Sequence, residues 1–252
     1  MAKRLLRLEP PYLFSIILAI IFIYLRKFSP TFDGQLREID MRQVFLHLGY
    51  LVPFFDNVKW LNNVYWTLAV EFQYYFLISV LYFLFVSPKS WVRYVGYVVL
   101  LGAPFLFPTA NFLPFWLPLF GIGILLFLYK TEQISKVELA LVSVIFIADL
   151  FVFNSIETGV IATATELVIL FMLSATNKVL ATLGKFSYSV YLVHTIVGAT
   201  FVNVLSHYVT GSFAKLVLVV GGVGVTFVAS YLMYLFVEKP SKKWSSALQY
   251  NK

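Results

Sequence analysis

The sequence has no cysteine in 252 residues and few charged side chains. Without cysteine there can be no disulfide bond, iron–sulfur cluster, thiolate zinc site or thiol nucleophile. Asp, Glu, Lys and Arg make up 12% of the chain, whereas a soluble domain has about 25%. The sequence also lacks a Walker phosphate loop, a metal-ligand pair and a GxSxG nucleophile elbow, so the common nucleotide, metal and serine-hydrolase motifs are missing.

Apolar residues are abundant. Hydrophobic residues form 60% of the chain and aromatic residues 19%, with a mean hydropathy of +0.85. No compact soluble fold could bury this much apolar surface, which excludes a water-soluble enzyme. Disorder is excluded as well, because disordered chains are poor in aromatics and rich in charge.

Eight apolar runs are long enough, or nearly so, for the roughly 20 residues that a spanning helix needs. None shows the alternating pattern of a barrel strand, so each predicts a helix. The sequence therefore predicts an all-α fold, a polytopic integral membrane helical bundle with about eight transmembrane helices. The runs cover residues 11–26, 64–86, 91–107, 112–129, 137–153, 158–174, 186–207 and 213–237.

Basic residues are unevenly distributed between the two sides of this topology. The net charge is +7, and 13 of the 19 Lys and Arg residues fall on one side against 6 on the other. The positive-inside rule then places both termini in the cytoplasm. We interpret 1–252 as a single transmembrane domain with one long non-cytoplasmic loop at about 27–63. Residues 44–55 are apolar but too short to span, which predicts an interfacial helix.

Ionisable residues inside the predicted spans are functional candidates, because burying them in lipid is costly. Helical spacing places Thr67, Glu71, Tyr74 and Tyr75 on one face, a polar stripe suited to line a wet cavity. A structural carboxylate bonded to a neighbouring helix is the alternative for Glu71. Glu166 and Asp149 have no motif around them, so interhelical hydrogen bonds are favoured for both.

His194 shares a helical face with Ser187, Tyr191 and Gly198. A neutral imidazole near mid-membrane could shuttle a proton or orient a hydroxyl, and a histidine satisfied by a backbone carbonyl is an equal alternative. Arg4 and Arg7 lie one helical turn apart before the first span. They could clamp phosphate groups, but physics alone favours an ordinary basic flank.

Four stretches, in order along the chain, resemble the membrane-bound acyltransferase family 3. RLLR at residues 4–7, followed by PPY at 10–12, is similar to the family's RRxxRIxPxY. WTLAVEFQYY at 66–75 resembles WSLSVEEQFYL, and FSYSVYLVH at 186–194 resembles SYSIYLWH. VEKP at 237–240 is similar to the closing IEKP. The resemblance extends from near residue 1 to about 243.

The resemblance implies transfer of an acyl group, often acetyl, from acyl-CoA to a hydroxyl of a surface carbohydrate. It implies O-acetylation of a polysaccharide at a bacterial inner (plasma) membrane, with acyl-CoA, a glycan acceptor and the lipid bilayer as partners. No nucleic acid, no metal and no bound cofactor are expected, and acyl-CoA is a donor substrate.

The resemblance also implies site residues. Arg4 and Arg7 match the family's RxxR, which is associated with the CoA donor. Glu71 matches the first Glu of VEEQ, and Phe72 replaces the second. We take Glu71 and His194 as candidate catalytic residues. The expected substrate cavity is lined by Trp66, Tyr74, Ser187 and Tyr191.

The chain departs from the family at its start. The family normally begins with two further helices that carry an Arg and, about three turns later, a His regarded as the catalytic base. Nothing upstream of Arg4 is present, so we expect an N-terminally incomplete member. A non-catalytic fragment or partner, and a transporter of lipid-linked glycans in which Glu71 and His194 bind substrate or protons, are the alternative functions.

Overall fold

The computed structural model describes residues 2–29, 34, 38–171 and 177–248. The chain is 82% helical, and the described part contains no strand. This confirms the all-α helical bundle. The twelve α-helices found there are α1 Ala2–Leu25, α2 Met41–Leu48, α3 Tyr65–Phe85, α4 Ser90–Leu106, α5 Leu113–Lys130, α6 Lys136–Phe153, α7 Ile156–Phe171, α8 Lys178–Lys185, α9 Ser187–Val193, α10 Thr200–Leu205, α11 Ser212–Met233 and α12 Lys239–Ala247.

Two π-helical segments interrupt the long C-terminal helices. His194–Ala199 joins α9 to α10, and Tyr234–Glu238 joins α11 to α12. Short 3₁₀ turns follow α1, α2 and α10. A π segment is rare and is frequently found at a functional site, because it breaks the regular hydrogen-bond ladder of the helix.

Each of the eight apolar runs is helical over nearly all of its described length, apart from single residues at the ends of some runs; residues 172–174 of the sixth lie outside the described residues. Five stretches in the described part are long and apolar enough to cross a membrane. They are Lys3–Phe28, Tyr65–Phe85, Leu113–Lys130, Ser187–Tyr208 and Ser212–Ala247. Helix α4 is apolar but has 17 residues, α6 has three charged residues, and α7 has 16 described residues. The exact count of eight spans stays a prediction.

The chain divides into two compact units. Unit 1 comprises Met1–Leu68 and Asn177–Lys252, and unit 2 comprises Ala69–Thr176. The boundary falls inside α3, so the first turn of that helix belongs to unit 1. The single domain over 1–252 stays a prediction.

Unit 1 brings the two ends of the chain together. Helix α1 packs against α12, against the π segment Tyr234–Glu238 and against α9. The hydroxyl of Ser241 donates to the carbonyl of Arg7 at 2.7 Å, and that of Ser245 to the carbonyl of Lys3 at 2.5 Å. The two bonds run in opposite chain directions, so α12 lies antiparallel to α1. Small serine side chains allow this close approach.

Helix α11 packs closely on the π segment His194–Ala199 in the same unit. A Cβ on Gly198 would overlap Thr226 Oγ1, and one on Gly222 would lie 2.6 Å from Val202 Cγ2. Glycine at both positions is therefore required by close helix packing.

Unit 2 is built from α3 beyond Leu68 and from α4 to α7. Phe146 is fully buried, and a Cβ on Gly121 would lie 2.5 Å from its ring. Ser143 donates to Glu166 Oε1 at 2.6 Å between α6 and α7, which confirms the interhelical hydrogen bond predicted for Glu166. Asp149 differs, because its buried Oδ2 has no partner among the described residues.

Candidate functional site

His194 opens the first π segment and has a defined hydrogen-bonding state. Its Nδ1 lies 2.8 Å from the carbonyl oxygen of Tyr191 and 3.2 Å from that of Val190. A carbonyl can only accept, so Nδ1 carries the hydrogen, and in the neutral ring Nε2 holds the lone pair. The side chain is exposed, and the hydrogen bonds found for its ring in the described part of the chain are both made by Nδ1.

A cavity of about 740 Å³ in unit 1 contains this imidazole. Ser187, Tyr191 and His194 line one wall, as their shared helical face predicts, and Thr226 and Phe227 of α11 line another. Most of the other lining residues are apolar or glycine. The cavity therefore combines a neutral imidazole with mostly apolar walls, and an imidazole of this kind can accept a proton.

Tyr191 ties this wall to the start of α3. Its hydroxyl donates to the carbonyl of Val64 at 2.8 Å and contacts Thr67 Oγ1, which donates to the same carbonyl at 3.0 Å. Trp66, in the same turn, is half-buried and does not line this cavity. Ser187 Oγ donates to Gly184 O at 3.2 Å. The tyrosine hydroxyl is thus used in packing the helices of unit 1.

Asn62 holds the helix on both sides of His194. Its Nδ2 donates to Leu192 O at 3.1 Å, and its Oδ1 accepts from Thr195 Oγ1 at 2.6 Å. The side chain is 6% exposed. Because the Leu192 carbonyl lies just before the π segment, the asparagine supplies a partner where the helical ladder is irregular. Sequence reasoning missed Asn62, since a lone loop asparagine has no distinguishing signal.

Glu238 is a buried carboxylate with three donors. Ser189 N donates to Oε2 at 3.2 Å and Ser189 Oγ at 2.6 Å, while Lys242 Nζ lies 2.6 Å from Oε1. Lys242 also donates to Lys185 O at 2.6 Å. The glutamate side chain is 1% exposed. Glu238 lies in the VEKP stretch, and its structural position joins α8, α9 and α12.

Arg4 and Arg7 are both exposed, near the N-terminal end of α1. Their i, i+3 spacing places them on adjacent turns of one helix face. At a rise of 1.5 Å per residue, about 28 Å separates Arg7 from Arg26 at the other end of the helix. That length matches the roughly 30 Å of a bilayer core. The two arginines therefore lie at the end of unit 1 that faces one surface of the membrane, and Arg26 lies at the other end.

Glu71 and Tyr74 lie on α3 within unit 2. Glu71 is half-buried and accepts a hydrogen bond from the hydroxyl of Tyr75. Tyr74 stacks on Phe120, with ring centroids 4.2 Å apart and an angle of 16° between the rings. Because Tyr74 belongs to unit 2 while Ser187 and Tyr191 belong to unit 1, the single cavity that sequence analysis expects for Trp66, Tyr74, Ser187 and Tyr191 stays a prediction.

His47 is a buried histidine of α2. It is fully buried, its Nδ1 donates to Gln43 O at 2.8 Å, and its Nε2 accepts from Leu61 N at 3.0 Å. Both ring nitrogens are used, so His47 organises the 41–62 segment.

Tyr50 links the same segment to α1. Its hydroxyl donates to Glu9 at 3.0 Å, and burial, together with the negative charge of that carboxylate, raises the pKa of the Tyr50 hydroxyl.

Comparison with known proteins bears on this site. The family model of acyltransferase family 3, described as an acyltransferase domain, matches residues 1–235. No curated protein matches the chain, and no solved structure matches it. The matched range includes Arg4, Arg7, Glu71 and His194.

Proposed function

Because the chain belongs to acyltransferase family 3, we propose that it moves an acyl group, acetyl in particular, from acyl-CoA to a hydroxyl of a surface carbohydrate. Family membership and apolar helices make it an integral membrane transferase. The observation that carries the chemical part of the proposal is the position of His194, which lines a cavity in unit 1 while its Nδ1 bonds to the Tyr191 carbonyl.

The reaction needs a base that removes the proton of the acceptor hydroxyl and later returns a proton to the leaving thiolate. His194 Nε2 takes the proton of the acceptor hydroxyl while its oxygen attacks the thioester carbonyl. The C–O bond forms, the tetrahedral oxyanion collapses, and the C–S bond breaks to release CoA thiolate. The imidazolium then gives its proton to the thiolate, so that ester and CoA thiol leave together. The Nδ1–H bond to Tyr191 O keeps the ring in the tautomer that this step requires.

We assign the donor to the N-terminal end of α1. The guanidinium groups of Arg4 and Arg7 match the phosphates of CoA, because a planar fork forms paired charge-assisted hydrogen bonds with phosphate oxygens. The excess of Lys and Arg on this side supports a cytoplasmic location for both termini. Acyl-CoA is made in the cytoplasm, and a bacterial inner membrane would supply both donor and glycan.

Glu71 keeps the role that the sequence resemblance implies for it, which is to donate, accept or orient a proton during transfer. Its carboxylate accepts a hydrogen bond from Tyr75 on the same helix. This bond fixes the position of the carboxylate, which supports an orienting role.

An acyl-transfer assay tests the function directly. The purified chain in lipid nanodiscs is given acetyl-CoA labelled in its acetyl group, together with a glycolipid extract from bacterial membranes. CoA release is measured with a thiol reagent, for which a protein without cysteine contributes no background. We expect alkali-labile label in the glycan fraction, equimolar with CoA.

Two outcomes contradict the proposal. Binding of acetyl-CoA without ester formation or CoA release indicates a non-catalytic partner. Movement of a fluorescent lipid-linked glycan across the bilayer, with no ester formed, indicates a transporter. Empty nanodiscs control for both.

A further inference from the structure

A second cavity in unit 1 lies at the opposite end of α1 from Arg4 and Arg7. Its volume is about 710 Å³. The C-terminal part of α1, the 61–63 loop and the 195–204 segment form its walls. The polar lining residues that matter here are Arg26, Asn62, Asn63, Thr195, Thr200 and Asn203.

The side-chain chemistry of this cavity matches a polyhydroxylated ligand. Amides and hydroxyls each both donate and accept hydrogen bonds, as sugar hydroxyls do. An acyl chain in the same place would desolvate these groups without pairing them, which is unfavourable. Phe22 and Phe28 add apolar wall, and Phe28 is 74% exposed. Polar groups converging on a partly apolar pocket are typical of small-molecule sites.

The described lining of this cavity carries one charged side chain, that of Arg26. No acidic side chain is among these lining residues, so the net charge of the described lining is positive. The Arg26 guanidinium is exposed and forms no ion pair in the described part of the chain. An anionic substituent on the ligand would pair with this guanidinium through a charge-assisted fork.

The cavity adjoins the residues that hold His194. Thr195, the next residue, donates to Asn62 Oδ1 at 2.6 Å, and Asn62 bonds to the backbone on the other side of the imidazole. Asn203 lines both this cavity and the one that contains His194. A ligand bound here would therefore place its hydroxyls beside the segment that carries the base.

We propose that this second cavity binds the acceptor, a sugar that carries an anionic group held by Arg26 and hydroxyls held by Asn63, Thr200 and Asn203. The inference rests on the proposed function and adds the acceptor class and its site. The roughly 28 Å of helix between Arg7 and Arg26 puts donor and acceptor at opposite mouths of unit 1. The acceptor thus enters from the non-cytoplasmic side.

Binding of simple sugars, measured in the absence of acetyl-CoA, tests this inference separately from catalysis. The probes are methyl glucuronide, glucose 1-phosphate, uncharged methyl glucoside and inorganic phosphate, titrated against the chain in nanodiscs. We expect both anionic sugars to bind roughly tenfold more tightly than methyl glucoside, the effect of a hydrogen bond to a charged group. The preference should weaken as NaCl is raised.

Variants assign the binding to the cavity. Arg26→Gln should remove the preference for anionic sugars while leaving methyl glucoside binding unchanged. Thr200→Val and Asn203→Leu should weaken all three sugars. Arg42→Gln is the matched control, because Arg42 is an exposed arginine of α2 outside this lining, and the variant should bind every probe as the wild type does.

Three results overturn the inference. An anionic preference that survives in Arg26→Gln places the recognition elsewhere. Unchanged sugar binding in Asn203→Leu and Thr200→Val means that the sugars do not bind in this cavity. Inorganic phosphate binding as tightly as glucose 1-phosphate means that only an anion is recognised. Sugar binding without acyl transfer would contradict the proposed function but support the acceptor site. Acyl transfer without sugar binding in this cavity would support the proposed function but contradict the acceptor site.

Discussion

The carboxylate of Glu238 accepts hydrogen bonds from both the backbone N–H and the hydroxyl of Ser189, which is 49 residues earlier in the chain. Lys242 neutralises the other carboxylate oxygen. Both π segments lie beside this contact in sequence, one ending at Glu238 and the other beginning five residues after Ser189. The pair therefore fixes the helix that carries His194 against the C-terminal end of the bundle.

Glu238→Gln should destabilise the protein. Glutamine replaces one acceptor oxygen with an NH₂ group, so a donor to Glu238 loses its partner, which costs about 1–3 kcal/mol and corresponds to a fall in Tm of roughly 2–12 °C for a chain of this size. The measurement is Tm at one fixed heating rate. Ser246→Ala is the control, since Ser246 is exposed on α12 and its hydroxyl donates to the carbonyl of Lys243 in its own helix. A Tm equal to wild type in Glu238→Gln would show that the contact contributes nothing.

Gly198→Ala should also lower the Tm, because a Cβ there overlaps Thr226 Oγ1. Overpacking of this kind costs about 1–3 kcal/mol. The double variant Gly198→Ala/Thr226→Ala removes the overlapping hydroxyl and should recover most of the loss. Gly224→Ala, where a Cβ meets nothing within 4 Å, is the control. A double variant no more stable than Gly198→Ala would contradict the packing argument.

The helices and one wall of the cavity can be predicted from sequence for simple physical reasons. Long apolar runs must form helices in lipid, because no other open structure satisfies the backbone. Ser187, Tyr191 and His194 line one cavity because their spacing of four and three residues puts them on one helical face. Both features depend only on residues that are close together in the chain, so a single sequence is enough to predict them.

The long-range contacts could not be predicted in the same way. Glu238 and Lys242 are visibly one turn apart, but their partner Ser189 is defined only by tertiary packing. His47 and Asn62 lie in a connection that composition treats as an exposed loop, yet both are buried. The π segments change hydrogen-bond register without any residue pattern that marks them.

Replacing both Arg4 and Arg7 with Ala should raise the KM for acetyl-CoA. Loss of a charge-assisted phosphate contact is worth roughly tenfold, and kcat should change little because neither arginine lines the cavity that contains His194. The measurement is CoA release at varied acetyl-CoA concentration. Lys243→Ala removes an exposed cation at the same end of unit 1 and serves as the control. A KM equal to wild type in an active Arg4→Ala/Arg7→Ala variant rules out the donor assignment.

Glu71→Gln tests the carboxylate that the family resemblance singles out. If Glu71 takes part in proton transfer or orientation, kcat should fall by about 100-fold with the KM for acetyl-CoA unchanged. Glu157→Gln is the control, because Glu157 is an exposed carboxylate of unit 2 in the first turn of α7. A Glu71→Gln variant with reduced Tm but normal kcat would assign Glu71 a structural role instead.

The measurement that tests the central claim most directly is acetyl transfer by His194→Gln beside His207→Gln, an exposed histidine outside the cavity. Losing a general base lowers kcat by about 10²–10⁴-fold. The account predicts that loss in His194→Gln, with wild-type acetyl-CoA binding and Tm, and wild-type kcat in His207→Gln. Transfer by His194→Gln at the wild-type rate would contradict it.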